Sequence, residues 1–466
     1  MSSRVRVGII GAGAAGTSVL DTLTPDRVDV TVFDGGPGFG PGRAYRPGST
    51  AALVNLPASK MSLRPENPRH FADWLGEGQP EFVSRELYGD YLTEVFEKAA
   101  GRTAATTISE DVVAIERHAD GYVVFTERAR FAFDAIFLCV GNAGPADVYN
   151  LSGTAAFVPD PYPLSELTLP TEASVTVVGA GLSAVDAVLE LERRGHKGRI
   201  RVVSRSGYLP GVRDTASTVV LQRADGGRVK GLAGSLRLLD LHRILAEEFV
   251  AQGIQLADLW REFRADERPA ERLRRQLQQV QAGDPALPTF LTVAGLLLES
   301  QAWQLFDDTT RTVFLQRWHG LVSTLCAPMP VATAERLVAL LDTGLLRISG
   351  GLTAIRPHHS GYTVTTTQGD FETSYVVNTV RPQPVHLPRR AADLLTSLTA
   401  AGLVTSHPLG GLRLDVETCA AAPGLYVLGE LAGGELYVET TVLTAITHRV
   451  RQAVHHLLGG LPKGTS

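Results

Sequence analysis

Val5-Arg6-Val7-Gly8-Ile9-Ile10-Gly11-Ala12-Gly13-Ala14-Ala15-Gly16 is a short apolar run that breaks into three spaced glycines. Residues 5–10 have the unbroken apolar character of a strand buried on both faces of a parallel sheet. A helix-like run follows to about Leu23, and Val28 to Phe33 reads as a second strand that ends on Asp34. The order is strand, glycine turn, helix, strand, acid. Gly11 permits a tight turn, Gly13 lets a pyrophosphate approach the backbone, and Gly16 allows close helix–strand packing. The helix start, at Ala14 and Ala15, offers unpaired N–H groups and a positive dipole end to phosphates. Asp34 can accept both hydroxyls of an adenosine ribose. A ligand-free glycine turn is the competing reading, and repetition weighs against it.

The pattern recurs. Val175 to Val178 reads as a strand, Gly179-Ala180-Gly181-Leu182-Ser183-Ala184 as a glycine turn, Ala184 to about Arg194 as a helix, and Ile200 to Ser204 as a strand. This is an internal duplication of a nucleotide-binding unit. After the second copy comes Ser204-Arg205-Ser206, with no carboxylate. A carboxylate there would repel a 2′-phosphate, whereas a guanidinium and hydroxyls would bind one. The expectation is therefore FAD on the first unit and NADPH on the second; a plain surface arginine is the alternative for Arg205.

The ends of the units also correspond. Val112 to Ile115 and Tyr122 to Thr126 read as a hairpin turning at Ala119-Asp120-Gly121, followed by a buried strand, Ala135 to Gly141. In the second unit Leu346 to Ile348, Tyr362 to Thr367 and Tyr375 to Asn378 are expected to repeat that order. Residues of about 215–340 are rich in Leu, Arg, Glu and Gln at helical spacing and read as a helical insertion, with Arg261 to Gln281 as a solvated amphipathic helix. Gly424 to Gly429-Glu430 reads as a strand ending in glycine and acid, and Thr440 to Leu458 as a closing helix. The last residues, 459–466, should fray. Glu430 would bond a flavin ribityl chain, and the start of the closing helix would favour negative charge on a reduced flavin ring. A capping or surface carboxylate is the other reading of Glu430.

The expected fold is α/β: two Rossmann-like dinucleotide-binding domains with a helical insertion in the second. The expected boundaries are 1–160 for the first part of the FAD domain, 165–385 for the NAD(P)H domain, and 386–466 for the rest of the FAD domain.

Composition narrows the function. The 466 residues suffice for two or three domains of about 150 residues each. With 44% hydrophobic and 20% charged residues, wholesale disorder is excluded. A net charge of −5 argues against nucleic acid or an anionic membrane as partner. Cys139, Cys326 and Cys419 form no CxxC pair, so dithiol redox chemistry and a zinc ribbon are not expected. His70, His196, His407 and His448 lack metal-ligand spacing and read as structural; no metal is expected. No run of eighteen apolar residues predicts a membrane span. Gly11, Gly13 and Gly16 interrupt the N-terminal apolar run, which favours a strand and turn over a signal peptide. A cytoplasmic location is the expectation, and a homo-oligomer is compatible with the sequence.

Gly40-Pro41-Gly42-Arg43-Ala44-Tyr45, Leu53 to Ser62, Asn67 to Leu75 and Ser84 to Leu92 together resemble the bacterial FAD/NAD(P)-binding protein family that includes a FAD-dependent urate hydroxylase. Gly181 to Asp186, Arg194 to Gly198, Ser204 to Pro210 and Leu425 to Ile446 resemble its later segments. The resemblance spans nearly the whole chain and is weakest over 215–320. It departs at Ser206, where relatives carry a second basic residue, at Leu321 to Pro328, and at Thr379-Val380-Arg381-Pro382. The FxGxxxHxxxW fingerprint of Baeyer–Villiger enzymes is absent from the sequence.

The resemblance implies that the Asn55 loop lies near the flavin, where its amide could donate to the N5 region or to oxygen carried there; a loop-capping role is the alternative. The candidate flavin contacts are Gly11, Gly13, Ala14, Ala15, Gly16, Asp34, Gly35, Arg43, Ala44, Asn55, Leu56, Met61, Ser62, Val113, Val140, Gly141, Gly429, Glu430, Thr440 and Thr441. Those for NADPH are Gly179, Gly181, Leu182, Ser183, Ala184, Ser204 and Arg205. Lys60 and Ser62 are also phosphate or substrate candidates. The expected activity is an NADPH-consuming, FAD-dependent monooxygenase acting with dioxygen on a small polar substrate, in an apolar pocket between the nucleotide domains, with natural-product biosynthesis as the expected setting. A flavin dehydrogenase or reductase without oxygen insertion, and a non-catalytic FAD scaffold, remain open alternatives.

Overall fold

A computed structural model of the chain describes residues 4–460 except 119–120, 142–143, 215–218, 233, 235, 265–266, 382–390 and 438–442. The chain divides into two units. The first comprises Met1–Pro47, Leu56–Gly144 and Pro382–Ser466, the second Gly48–Asn55 and Pro145–Arg381.

In the first unit, β1 (Val5–Ile10) pairs in parallel with β2 (Val28–Phe33), and β2 with β3 (Thr106–Ile108). A three-stranded antiparallel meander follows: β4 (Val112–His118), β5 (Gly121–Thr126) and β6 (Arg130–Phe133). The chain then returns as β7 (Ala135–Leu138), parallel to β1 on its other side. The second unit holds β8 (Phe157–Val158), β9 (Val175–Val178), β10 (Ile200–Val203), β11 (Val212–Arg213), β12 (Met329–Pro330), β13 (Leu346–Ser349), β14 (Leu352–His358), β15 (Gly361–Thr366), β16 (Gly369–Thr373) and β17 (Tyr375–Asn378). Two further strands, β18 (Ala420–Ala422) and β19 (Leu425–Val427), rejoin the first sheet.

The sheet orders are β18-β19-β7-β1-β2-β3 and β13-β10-β9-β17-β8. The central strands β1, β7 and β9 are apolar because helices or the meander cover both faces. Val7, Ile9, Val32 and Phe137 are fully buried with Val19 and Leu20 of the helix Ala14–Thr22. Val450 and Ala453 of the closing helix Leu443–Gly459 join the same core. Each such aliphatic or aromatic side chain contributes about 1.5–3 kcal/mol of burial.

The duplication holds at the level of register. Val112 and Ala114 pair with Thr126 and Phe125 across a bulge; Leu352 and Ala354 pair with Thr366 and Thr365 across another. Tyr122 and Tyr362, both buried, each donate their hydroxyl to a main-chain oxygen, of Pro423 and Ala155 respectively.

Two expectations are corrected. Leu346 to Ile348 is not the counterpart of Val112 to Ile115: β13 pairs in parallel with β10, as β3 does with β2, and the true counterpart is β14. Pro357 hides β14 in the sequence, and β14 tolerates it because it is an edge strand. Nor is Arg261 to Gln281 a solvated helix. It contributes to two helices, Leu256–Phe263 and Pro269–Gln281, some of whose charges turn inward. Glu262 accepts from Arg272 at 2.9 Å and Arg275 at 2.5 Å, and Gln276 donates to it at 2.7 Å. Arg272 and Gln276 are only 3% and 2% exposed, so these groups are paired inside the insertion instead of meeting water. The turn at 119–120, Thr440 and the terminal 461–466 lie outside the described residues. No described helix is long and apolar enough to cross a membrane.

Candidate nucleotide sites

Gly11 has φ +97°, and its N–H bonds Phe33 O at 2.8 Å. A Cβ there would lie 2.2 Å from Cys139 O, so only glycine fits between β1 and the end of β7. Gly16 approaches Gly11 O as closely. Gly13 is the N-cap of the helix Ala14–Thr22, and no side chain caps it. The first-turn amides of Ala14 and Ala15 are thus presented at a dipole end with no acid in the first turn.

Asp34 braces this turn. Its Oδ2 accepts from Ala12 N–H at 2.8 Å and its Oδ1 from Gly36 N–H at 2.7 Å. A carboxylate oxygen has two lone pairs, so each retains one acceptor position for a ribose hydroxyl. The loop from Gly40 to Tyr45, singled out by the resemblance, covers the turn. Gly40 N–H bonds Ala12 O at 2.8 Å, and Gly42 lies against Gly13. The Gly-Pro-Gly spacing just before Arg43 was the available signal. Arg43 and Ala44 follow directly, half-buried. Gly35 backs onto the Asp111 carboxylate, a second missed acid. Val113 is the extra residue of the β4 bulge. Val140 and Gly141 extend β7 at the same sheet end, where Cys139 N–H bonds Ile10 O.

Several other candidates make local contacts. The Ser62 hydroxyl donates to Asn67 O at 2.7 Å and accepts from Arg64 N–H at 2.9 Å, bracing its own loop. Met61 is buried, and its carbonyl accepts from Tyr88. Leu56 is half-buried and Lys60 exposed. Asn55 belongs to the segment that packs with the second unit: Ser49 donates to Glu190 at 2.6 Å, and Asn55 O accepts from Arg213 at 3.3 Å. Gly429, with φ +75°, ends β19, and Glu430 follows, half-buried. Thr440 and Thr441 lie outside the described residues. His70 and His196 hold local bonds, to Tyr91 and Ala173 O. Among the described residues no His, Cys, Asp or Glu group could hold a metal ion.

The second turn repeats the first. Gly179 has φ +111°, bonds Val203 O at 2.9 Å, and would meet Thr379 if it carried a Cβ. Gly181 is an uncapped N-cap with open space around its Cβ position, followed by Leu182, Ser183 and Ala184. By register Ser204 stands where Asp34 stands, Arg205 replaces Gly35, and Gly351 replaces Asp111. Both acids are gone and a guanidinium has been gained. The Ser204 hydroxyl accepts from Gly207 N–H at 2.8 Å, and Gly351 N–H bonds Arg205 O at 2.8 Å, which fixes the loop. Arg205 is exposed. Burial raises the Tyr149 phenol pKa, while the nearby Arg205 charge lowers it. The insertion supports this loop: Arg272 lies 4.3 Å from the Tyr208 ring centroid. At the far end of β17, Arg381 stands near His319, whose pKa burial and that charge lower to about 4. His319 is therefore neutral at pH 7.

Residues 8–143 match the family described as FAD-NAD(P)-binding. No curated protein matches the sequence. Solved structures share the fold over almost the whole chain. The L-lysine 6-monooxygenase of Pseudomonas syringae is 17% identical over 99% of this chain and 100% of its own, with a TM-score of 0.59. The ornithine N-hydroxylase of Kutzneria sp. 744, with reduced FAD, NADP+ and L-ornithine, is 14% identical over 98% and 99%, with a TM-score of 0.59. The bacillithiol disulfide reductase of Staphylococcus aureus is 12% identical over 98% and 99%, with a TM-score of 0.54. The fold is that of flavin-dependent oxidoreductases with two dinucleotide-binding domains.

Proposed function

We propose that the chain is an FAD-dependent, NADPH-consuming monooxygenase that oxygenates a small polar substrate at nitrogen or at an electron-rich carbon. The observation that carries this reading is the contrast between two otherwise matched turns: Asp34 and Asp111 at the first, Ser204 and Arg205 at the second. A carboxylate suits the two free hydroxyls of an FAD ribose, and a guanidinium suits the 2′-phosphate of NADPH. When bound, the two cofactors supply hydride transfer and the reduction of dioxygen. The net reaction is substrate, O2, NADPH and H+ giving oxygenated substrate, water and NADP+.

The chain's own residues bind and orient. The uncapped helix starts at Gly13 and Gly181 hold the pyrophosphates, Asp34 accepts from ribose, and Arg205 binds the 2′-phosphate. Glu430 accepts from the ribityl chain. The named activities of the two N-oxygenating structures make primary amines the first substrate class to test; purines follow from the urate hydroxylase resemblance.

The thiols do not support thiol–disulfide exchange as the activity. Cys139 and Cys419 are buried and Cys326 is half-buried. Burial raises the Cys139 pKa and brings that of Cys326 to about 12. Disulfide exchange requires an accessible thiolate.

The test is to mix anaerobic protein with NADPH and follow the yellow flavin band, then admit oxygen with amines or purines. Bleaching followed by a product heavier by one oxygen atom is expected. Anaerobic turnover of an organic acceptor, with only hydrogen peroxide formed in air, would overturn the monooxygenase reading. A colourless protein that takes up no FAD would overturn the flavoprotein reading as well.

A further inference from the structure

A cavity of about 450 Å³ opens in the second unit, between the β10–β13 edge of its sheet, the meander and the helix Pro269–Gln281. Three arginines line it: Arg201 from β10, Arg347 from β13 and Arg274 from the insertion. Ser349, Thr366 and Gln368 add neutral polar groups. The acids do not balance this charge. Arg274 pairs with Asp342 at 2.6 Å, and Asp370 is the acid in the lining. Among the described residues neither Arg201 nor Arg347 has a carboxylate partner.

Arg201 is held ready. Its guanidinium stacks on Phe371, 3.6 Å from the ring centroid, and its buried Nε has no hydrogen-bond partner. A buried donor without a partner costs free energy, so the arrangement calls for an acceptor. Burial together with Arg347 and Arg199 also lowers the Arg201 pKa, the mark of positive charges crowded without counter-charge.

The first unit is an internal control. By register its Thr31, Thr106 and Phe131 stand where Arg201, Arg347 and Phe371 stand. The aromatic ring is common to both units and packs there against Phe33, 5.2 Å between centroids. The fold therefore requires neither arginine. Two threonines satisfy the same place, and the pair of guanidiniums is an addition confined to the second unit.

We infer that this cavity is a binding site for a compact, multiply charged phosphate anion, separate from the nucleotide loop at Arg205. Planar guanidinium forks match phosphate oxygens in bidentate fashion, and the cavity volume suits a small ligand. The inference does not depend on the monooxygenase reading, because it concerns charge placement and not the reaction.

The experiment is calorimetric titration of the full-length protein with inorganic pyrophosphate, at low ionic strength and with saturating NADPH present. One bound pyrophosphate per chain is expected. Arg347→Gln, on an exposed edge residue, should weaken it about tenfold or more, as should Arg201→Met. Arg205→Gln should leave pyrophosphate affinity within about twofold. Should Arg201→Met fail to fold, Arg347→Gln carries the test alone, with its melting temperature as the check on folding. No binding, or binding lost in Arg205→Gln but retained in Arg347→Gln, overturns the inference.

Discussion

Replacing Gly181 by alanine separates what the fold needs from what a nucleotide needs. Gly181 sits at φ −83° and ψ −173°, open to any residue, and nothing lies within 4 Å of its Cβ position. The protein therefore loses only the N-cap preference for glycine over alanine, about 0.5–1 kcal/mol. At about 2–4 °C per kcal/mol for a unit of this size, the melting temperature should fall by only a few degrees. The new methyl group occupies the approach of a pyrophosphate to the helix start. Losing one charge-assisted hydrogen bond there costs about 1.5–3 kcal/mol, roughly a tenfold to hundredfold weaker apparent NADPH affinity. Gly179→Ala should behave in the opposite way. Its φ of +111° and a Cβ 2.5 Å from Thr379 Oγ1, with Thr379 main-chain atoms at 2.9 Å, force the backbone to move. That places it among substitutions costing more than about 4 kcal/mol. The assay is anaerobic stopped-flow bleaching of the flavin against NADPH concentration, paired with thermal melts. Unchanged NADPH affinity in Gly181→Ala would remove the nucleotide from this turn. A wild-type melt for Gly179→Ala would refute the geometry on which the comparison rests.

Asp34→Ala strips the partners from Ala12 and Gly36 N–H, at about 1–3 kcal/mol for each amide left unpaired, so purified protein should carry much less FAD by absorbance; full flavin content would remove Asp34 from the site. Arg205→Gln should weaken NADPH several-fold and leave NADH unaffected, read as the ratio of apparent affinities; equal losses would rule out a 2′-phosphate contact. Burial alone would raise the Glu262 pKa, but Arg272 and Arg275 hold it below the usual carboxylate range. Its contribution to stability is then complete above the unfolded value of about 4.3 and disappears as pH falls through the lower folded value. Glu262→Gln should cost about 3–5 kcal/mol at pH 7, and its melting temperature should fall less than that of the native protein between pH 6 and 3; parallel curves would argue against the buried network.

Local signals were the legible ones. Gly11, Gly13, Gly16 and Asp34 lie within two dozen residues, and their spacing encodes turn, helix start and acid directly. The second copy was equally plain because the same spacing recurs at Gly179 and Gly181. What escaped depends on partners distant in sequence or on edge position. β14 carries Pro357, which opposes a strand unless that strand lies at an edge. The charges of 261–281 look solvated until helices separated by a turn bring Glu262 onto Arg272 and Arg275. Gly40 and Gly42 carry the resemblance in sequence, but the contact of Gly42 with Gly13, nearly thirty residues earlier, shows only in the fold.

The duplication sharpens the assignment of ligands, because each unit is the other's control. Features kept in both copies are those the fold needs: a glycine at positive φ on the turn, a meander bulge, a buried tyrosine bonded to a distant carbonyl. None of these distinguishes one nucleotide from another. Among the features that differ, five lie where a ligand's charge would be met. Asp34 gives way to Ser204, Gly35 to Arg205 and Asp111 to Gly351, and beside them Thr31 and Thr106 give way to Arg201 and Arg347. All five changes move the second unit toward positive charge or away from negative charge. Packing does not call for such a bias, since the first unit has the same strands and register without it. A difference in the charge of what the units bind does call for it: an anion-rich ligand set on the second unit, and on the first a nucleotide whose ribose hydroxyls are free.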